Sequence, residues 1–479
     1  MGRSFVLLFE KGNSHYMNKL KIKILIVGND PNEIGGVANY TRPLALDLAE
    51  LGHTVHYFFS GAWNRDYDFR IAPYLRQGVY RGKINTITLV NSPCYSVNYG
   101  APDIDIEEKR TERLFDQYIG DIKPDVMHVH SRMGLPASIL RIAKSHGVKV
   151  FNSIHVYGML CQKRVMIDRS GELCPGPSDF EKCAWCTGTM NIPLLKLKAR
   201  LENLSPNIYK RMAKNRQLIV PKIDSNSISR AFSYDQSKVD GLRRRLDAMI
   251  YAINQYTDCT ICVSNDVKET LMKFGANPRK LLVQHIGSII AEKQTNNFRP
   301  LHTPMVIGNI GGVNYYKGTQ VLIDAVRMIK RTDFVVKIFG KYDPYFVEKI
   351  CMGVTPVNVE FLGRYVPEEL PNILEQIDVM VLPSICNDTA PQTIFESYSN
   401  KIPIIAPRIG GFPDFVVDGF NGKLFQTGDG TDLARKINEV LDSPDELHKF
   451  RQHIPNLKTI RENTMELIAM YSKEYACHV

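Results

Sequence analysis

Lys21-Ile-Lys-Ile-Leu-Ile-Val-Gly28 is a nearly continuous apolar run that ends in glycine. A polar loop, Asn29 to Glu33, leads from it to Gly35-Gly36. A helical pattern follows, with apolar positions at Leu44, Leu48 and Leu51 and a stop at Gly52. Thr54-Val-His-Tyr-Phe-Phe59 is then a second strand. Strands without polar alternation are buried on both faces, so this β-loop-α-β unit belongs to a parallel sheet. Pro43 sits badly inside a long helix, which therefore starts near Thr41 or kinks there.

The alternation continues outward. Asp125-Val-Met-His-Val-His130 reads as a strand, Pro136 to His146 as a helix and Val148 to His155 as a strand. An irregular stretch precedes the strand Asp258 to Ser264 and the helix Val267 to Phe274. A second series opens with the strand Met305 to Ile310, and Lys317-Gly318 leads into the helix Thr319 to Ile329. Phe334 to Phe339, Val379 to Leu382 and Ile402 to Ala406 are further strands, and Ala434 to Leu441 is a late helix. The fold class is α/β, two Rossmann-like doubly wound domains facing across a cleft where ligands meet the carboxyl ends of the strands. The expected division is a tail over 1–16, a first domain over 17–296 with an insert at 157–250, a second over 297–460, and a helix over 461–479 packing back on the first.

A chain of 479 residues is too long for one core. Its 44% apolar and 23% charged composition is that of a globular protein. No apolar run approaches the ~20 residues that cross a bilayer. Phe5 to Phe9 is apolar with no signal-peptide region behind it, so a cytoplasmic location is expected. The net charge of +10 is concentrated between 191 and 250, where 13 basic residues face 5 acidic ones. That segment is either a solvated surface or a face for an anionic partner. Leu194, Leu197, Leu201 and Leu204 share a helical face there, which either lies on an anionic membrane surface through the 194–245 insert or packs on its own domain. No recognition motif accompanies the charge, so nucleic acid is not an expected partner.

Several motifs in order resemble the retaining glycosyltransferases of family four, whose fold is GT-B. Residues 20 to 445 carry them: Gly35-Gly36, Pro124-Asp-Val-Met-His-Val-His130, His155, Lys317-Gly318 and Pro383-Ser-Ile-Cys-Asn-Asp-Thr-Ala-Pro-Gln-Thr-Ile-Phe-Glu-Ser397. Ile404-Ile-Ala-Pro-Arg-Ile-Gly-Gly-Phe-Pro-Asp414 and Asp418-Gly-Phe-Asn-Gly422 complete the set. The resemblance implies transfer of a hexose from a nucleotide-diphosphate sugar to a hydroxyl of a carbohydrate or lipid-linked acceptor, with retention and no catalytic metal. A bacterial surface-polysaccharide pathway is the setting it suggests.

The residues support this chemistry. Thr389 and Gln392 read as a capping box with Pro391 in the first turn. A helix start of this kind presents free N–H groups to a diphosphate. Pro391 has none to give, so the amides of Gln392 and Thr393 are the phosphate ligands. Glu396 lies ~7–8 Å further along the axis than Asp388's loop, so two carboxylates grip two hydroxyl-bearing groups. The resemblance assigns Asp388, where the family usually has Glu, to the donor sugar and Glu396 to the ribose diol. The Lys317 ammonium neutralises charge on the leaving diphosphate. The family's arginine five residues earlier is Gly312 here, so Lys317 suffices or Arg364 or Arg408 stands in. Gly35 and Gly36 allow close backbone approach to a ligand; the resemblance places them at the acceptor and sugar-phosphate junction, with Gly36 also touching the donor, and His155 beside the sugar. No carboxylate serves as nucleophile. The resemblance implies that the departing phosphate accepts the acceptor's proton, so that catalysis is orientation and leaving-group stabilisation.

Ten cysteines in a chain expected in the cytoplasm read as thiols or metal ligands, not disulfides. Cys161, Cys174, Cys183 and Cys186 cluster in an irregular stretch and either close a structural zinc site or remain reduced thiols. Cys259 and Cys262 lie in a strand, three apart on opposite faces, and read as core. Two other functions stay open, a sugar-nucleotide epimerase on the same fold and a non-catalytic partner protein.

Overall fold

The computed structural model describes residues 21–61, 72–94, 101–188, 235–295 and 298–472. The expected tail over 1–16, the Leu194 to Leu204 helix and most of the basic segment lie outside them.

The first sheet has eight strands: β1 Lys23–Gly28, β2 Thr54–Ser60, β3 Tyr74–Tyr80, β4 Ile84–Val90, β5 Val126–Val129, β6 Lys149–Ile154, β7 Cys259–Cys262 and β8 Leu281–Val283. Their order is β3-β4-β2-β1-β5-β6-β7-β8, all parallel except β3, which pairs antiparallel with β4. The second sheet has β9 Met305–Ile310, β10 Phe334–Phe339, β11 Val359–Gly363, β12 Val379–Val381, β13 Ile404–Pro407 and β14 Gly422–Phe425. It is wholly parallel, in the order β11-β10-β9-β12-β13-β14. The doubly wound α/β class read from the sequence is the class observed.

The strand order explains where a ligand can sit. In the first sheet the chain works outward in one direction from β1 and returns to β5; in the second it does the same from β9 and returns to β12. At each reversal the connecting helices leave on opposite faces, and a crevice opens beyond the carboxyl ends of the two central strands. The exits of these strands carry Gly35-Gly36 after β1, Ser131-Arg132 after β5, Gly311 to Lys317 after β9, and Pro383 to Asp388 after β12.

Ile24 to Val27, Val126, Met127, Val150 and Cys259 are all fully buried, as a sheet covered on both faces requires. The helix after β1 runs Gly36–Glu50 straight through Pro43. A start near Thr41 is therefore ruled out: Thr41 is buried and its hydroxyl bonds the Tyr57 hydroxyl at 2.8 Å, which holds the first turn in place. The expected insert over 157–250 also needs correction. Residues Gln236–Tyr256 form a 21-residue helix capped by Asp235, and its Met249 and Ile253 are fully buried in the first core. Three consecutive arginines, Arg243 to Arg245, mask its apolar stripe in the sequence.

The last described helix, Ile460–Ser472, packs against the first unit although it follows the second in the chain. Its Asn463 Oδ1 accepts from the Tyr40 hydroxyl at 2.7 Å and from the Gly287 amide at 3.1 Å. Arg461 pairs with Asp47 at 2.6 Å. No described helix is long and apolar enough to cross a membrane. Asn463→Ala should cost roughly 2–4 kcal/mol, because it orphans two buried donors at once. The midpoint of denaturant unfolding measures this; a shift equivalent to less than about 0.5 kcal/mol would mean that Asn463 behaves as a surface position.

Candidate functional site

Two loops of the second unit meet at the crevice. The turn at the β9 exit, Tyr315–Lys317, is capped by Asn314, whose Oδ1 accepts from the Lys317 amide at 3.0 Å. Gly318 follows with φ 73°. A Cβ there would overlap the Pro383 carbonyl oxygen, so only glycine lets this turn lie on the β12 exit. The Tyr316 carbonyl then accepts from the Ile385 amide at 3.1 Å and the Ser384 hydroxyl at 3.3 Å. The consequence is a direct ion pair, Lys317 Nζ to Asp388 Oδ2 at 2.7 Å, with Ser384 Oγ also 3.2 Å from that oxygen.

A third segment fixes Asp388 from the other side. The Gly411 amide donates to the Asp388 carbonyl at 2.7 Å, and side chains at Gly410 or Gly411 would collide with the backbone of Asp388 or Thr389. The glycine pair after β13 therefore serves the site indirectly. Its signal in the sequence was a third Gly-Gly after a strand, following Gly35-Gly36 and Gly311-Gly312.

The helix carrying Glu396 runs Gln392–Ser399. The capping box expected at its start is not formed. Pro391, rather than Thr389, holds the N-cap position, no side chain caps it, and the Thr389 hydroxyl instead donates to the His155 carbonyl at 2.6 Å. Thr389 thus ties the second unit to the first, and the Gln392 and Thr393 amides stay open. Gly36 faces this helix start across the crevice: a Cβ on it would stand 4.0 Å from Gln392 Cγ, and one on Gly311 would stand 3.9 Å from Thr393 Cγ2. Gly35 has open space around it. The two glycine loops, Lys317, Asp388 and the helix start are therefore brought together.

The charges are uneven. Burial draws the Lys317 ammonium down, but Asp388 beside it more than offsets this and holds it above the ordinary lysine range. Burial pushes the Glu396 carboxyl up to about 7. Of the cations considered as stand-ins at Gly312, Arg408 is held by Asp418 and Arg364 is exposed on the β11 exit.

On the first unit, His155 is buried just past β6, its Nε2 3.0 Å from His130 Nδ1 and its ring 5.2 Å from that of Tyr40. His128 bonds the Tyr471 hydroxyl at 2.5 Å and Ser153 Oγ at 2.8 Å. Burial holds His155 down at about 4 and His128 at about 3, with His130 well below the usual range, so all three are neutral. Sequence reading missed His128 and His130. Their two-residue spacing on a strand, which puts both on one face, was the available sign.

Cys161, Cys174, Cys183 and Cys186 line one pocket. Both readings of them, structural zinc and reduced thiols, stay open: among the described residues no group of three or more His, Cys, Asp or Glu is placed to hold a metal ion, and no disulfide joins the four. Cys174 Sγ turns to the Gly176 carbonyl at 3.6 Å, and burial pushes Cys183 up to about 12. Cys262 is a buried free thiol, as a core residue would be, but Cys259 is disulfide-bonded, contrary to the expectation that no cysteine would be. Two cations counted in the basic segment are buried: Lys238, and Arg245 on Asp105 at 2.8 Å.

Comparison with known proteins gives consistent matches. Residues 291–456 match the family described as glycosyl transferases group 1, and residues 34–168 match glycosyltransferase family 4. An uncharacterised glycosyltransferase of Methanocaldococcus jannaschii is 27% identical over 220 residues, covering 46% of this chain and 56% of that protein. The D-inositol 3-phosphate glycosyltransferase of Corynebacterium diphtheriae is 29% identical over 207 residues, covering 38% and 48%. The chain thus spans about half the length of these curated relatives. The crystal structure of Anabaena HepE in complex with UDP and glucose superposes with a TM-score of 0.54 at 14% identity, covering 94% of this chain and all of that one. A Rickettsia africae glycosyltransferase gives 0.59 at 18%, covering 94% and 98%. At these identities the structures speak for the fold.

Gly318→Ala tests the stitching of the loops. The left-handed conformation alone costs about 1–2 kcal/mol with a side chain, and the overlap with Pro383 adds to it. Loss of at least ~2 kcal/mol in chemical unfolding is expected; an unchanged midpoint would show that the Lys317 turn relaxes freely.

Proposed function

Because the chain belongs to the group 1, family-four glycosyltransferases, we propose that it moves a hexose from a nucleotide-diphosphate sugar to a hydroxyl of a carbohydrate or lipid-linked acceptor, with retention of configuration. The observation that carries this reading is the convergence of Lys317, Asp388 and the uncapped start of the Gln392–Ser399 helix opposite Gly36. Such a helix end and a lysine suit a diphosphate. The names of relatives lend support, D-inositol 3-phosphate and amylovoran biosynthesis glycosyltransferases among them, as do the UDP and UDP-glucose complexes of HepE.

Before the donor binds, Lys317 rests on Asp388. A bound diphosphate draws the ammonium toward its own oxygens and frees the Asp388 carboxylate for hydroxyls of the donor sugar. The Gln392 and Thr393 amides take further phosphate oxygens, and Glu396 accepts from the ribose diol. His155, neutral and fixed by His130, orients the sugar without competing for the phosphates. The acceptor oxygen bonds to the anomeric carbon on the face from which the diphosphate leaves, and its proton passes to the departing phosphate oxygen. Lys317 and the helix amides stabilise the charge that grows there, which is where electrostatic catalysis gains most.

Thermal unfolding with UDP-, GDP- and ADP-sugars tests the reading. The right donor at 100 times its Kd should add about 2.7 kcal/mol, and Glu396→Ala should abolish that gain. If no nucleotide sugar protects the protein, the proposal fails.

Glu396 gives a second test with opposite signs for binding and stability. Its carboxyl ionises only near pH 7, so donor affinity should weaken as pH falls through 7, and Glu396→Gln should bind weakly at every pH. Between the ordinary carboxyl value and 7 the folded state binds more protons than the unfolded one, so stability falls as pH rises through that window. Glu396→Gln should therefore be more stable than the parent at pH 8, by ~1–3 kcal/mol. Equal stability at pH 8 would mean that the carboxylate is already solvated or paired.

A further inference from the structure

A pocket beyond the carboxyl ends of β5 and β6 has His155 in its wall and extends away from the second unit toward Asp105 and the Gln236–Tyr256 helix. Arg132, Arg164 and Arg245 line it, with Asp105 as its only lining carboxylate. That carboxylate is engaged: Arg245 Nε donates to Asp105 Oδ2 at 2.8 Å, and Arg245 satisfies its remaining donors on the carbonyls of Gly158, Met159 and Leu160.

Arg132 is placed differently. Its Nε and Nη2 point at the Met159 sulfur at 3.3 and 3.2 Å, Nη2 also at the Met249 sulfur at 2.8 Å, and Nη1 at the Leu135 carbonyl at 3.1 Å. A thioether is a weak acceptor. Among the described residues no carboxylate stands within ion-pair distance of Arg132. Burial, with Arg245 adding to it, pulls this guanidinium down to about 10. A second polar group on the same wall is also unmatched: Asn152, 3% exposed, has no partner for its Nδ2. A forked cation and an amide donor, both desolvated and both short of an oxygen acceptor, are the complement of an oxyanion.

We infer that this pocket is an anion subsite for the acceptor, in which Arg132 and Asn152 hold a carboxylate or phosphate group carried by the sugar that receives the transferred residue. The inference rests on the transferase reading, since His155 joins this pocket to the donor side. It narrows the acceptor to an anionic saccharide or sugar phosphate. Arg132 binds through Nε and Nη2, exchanging two sulfur contacts for two charged hydrogen bonds, which a lysine cannot reproduce as a fork.

The experiment is thermal unfolding of the full chain at constant ionic strength with glucose, glucuronate or glucose 6-phosphate, each beside UDP, GDP or ADP. Glucuronate or glucose 6-phosphate should raise the Tm saturably where glucose does not, and which of the two acts identifies the group. Arg132→Met should weaken that anion at least tenfold and Arg132→Lys by an intermediate factor, while the nucleotide response stays at the parent's level. Arg132→Met should also leave the ligand-free protein as stable as the parent or more so, because an unmatched charge is replaced by a hydrophobic side chain. A merely structural arginine would instead lower the Tm of the ligand-free protein. If neither anion exceeds glucose, or if Arg132→Met responds like the parent, the subsite is refuted even where a nucleotide binds. If no nucleotide binds, it is the donor reading that falls.

Discussion

Contact between backbones, made without intervening side chains, holds the crevice together. The β9 exit lies on the β12 exit because Gly318 has no Cβ to strike Pro383, and the β13 exit lies on Asp388 because Gly410 and Gly411 have none either. Three parallel neighbours in one sheet thus fuse their exits into a single rigid surface, with the Lys317–Asp388 pair on top. Thr389 extends that surface to the other unit through the His155 carbonyl. Geometry of this kind tolerates little drift, and orientation is what the proposed transfer, made without a protein nucleophile, would have to supply.

The charge distribution follows from the same packing. A lysine and an aspartate in contact neutralise each other at little cost, and on the proposed reading each would be released when a diphosphate and a sugar arrive together. Glu396 has no cation beside it among the described residues and is left with the cost of burial. Burial keeps the three histidines neutral, and neighbouring histidines add to it at His128 and His130. On the proposed reading a phosphate would find its counter-charge in one place, at Lys317 and the open helix start.

The sequence showed the sheets more readily than their cover. Strands such as Ile24 to Val27 are apolar without interruption, and a parallel sheet leaves no other reading. The positions of Lys317, Asp388 and Gly36 near one another were legible because motif order placed them after strands of the two sheets. The Gln236–Tyr256 helix was not, since Arg243 to Arg245 look like surface while Arg245 is buried against Asp105, 140 residues away. Thr389 failed for a related reason. A threonine three residues before a glutamine is a local capping pattern, but the helix starts two residues later, with Pro391 at its N-cap, and the Thr389 hydroxyl donates to a carbonyl of the other unit. The cysteine cluster likewise had metal-like spacing, while the fold spread its sulfurs around a pocket.

Gly312 shows how the two halves of the site depend on each other. An arginine there would put a second cation on the phosphates; without it, Arg408 is spent on Asp418 and Arg364 stands out on the β11 exit. On the proposed reading a diphosphate would then rely on one ammonium and on backbone amides, whose partial charges act only within the first turn of their helix. Those amides reach a ligand only if the helix start stays uncapped, which it does because Pro391, whose side chain has no acceptor, holds the N-cap position. The Thr389–His155 hydrogen bond, one of several between the two units, thus lies just before the open helix start on which the proposed phosphate site depends.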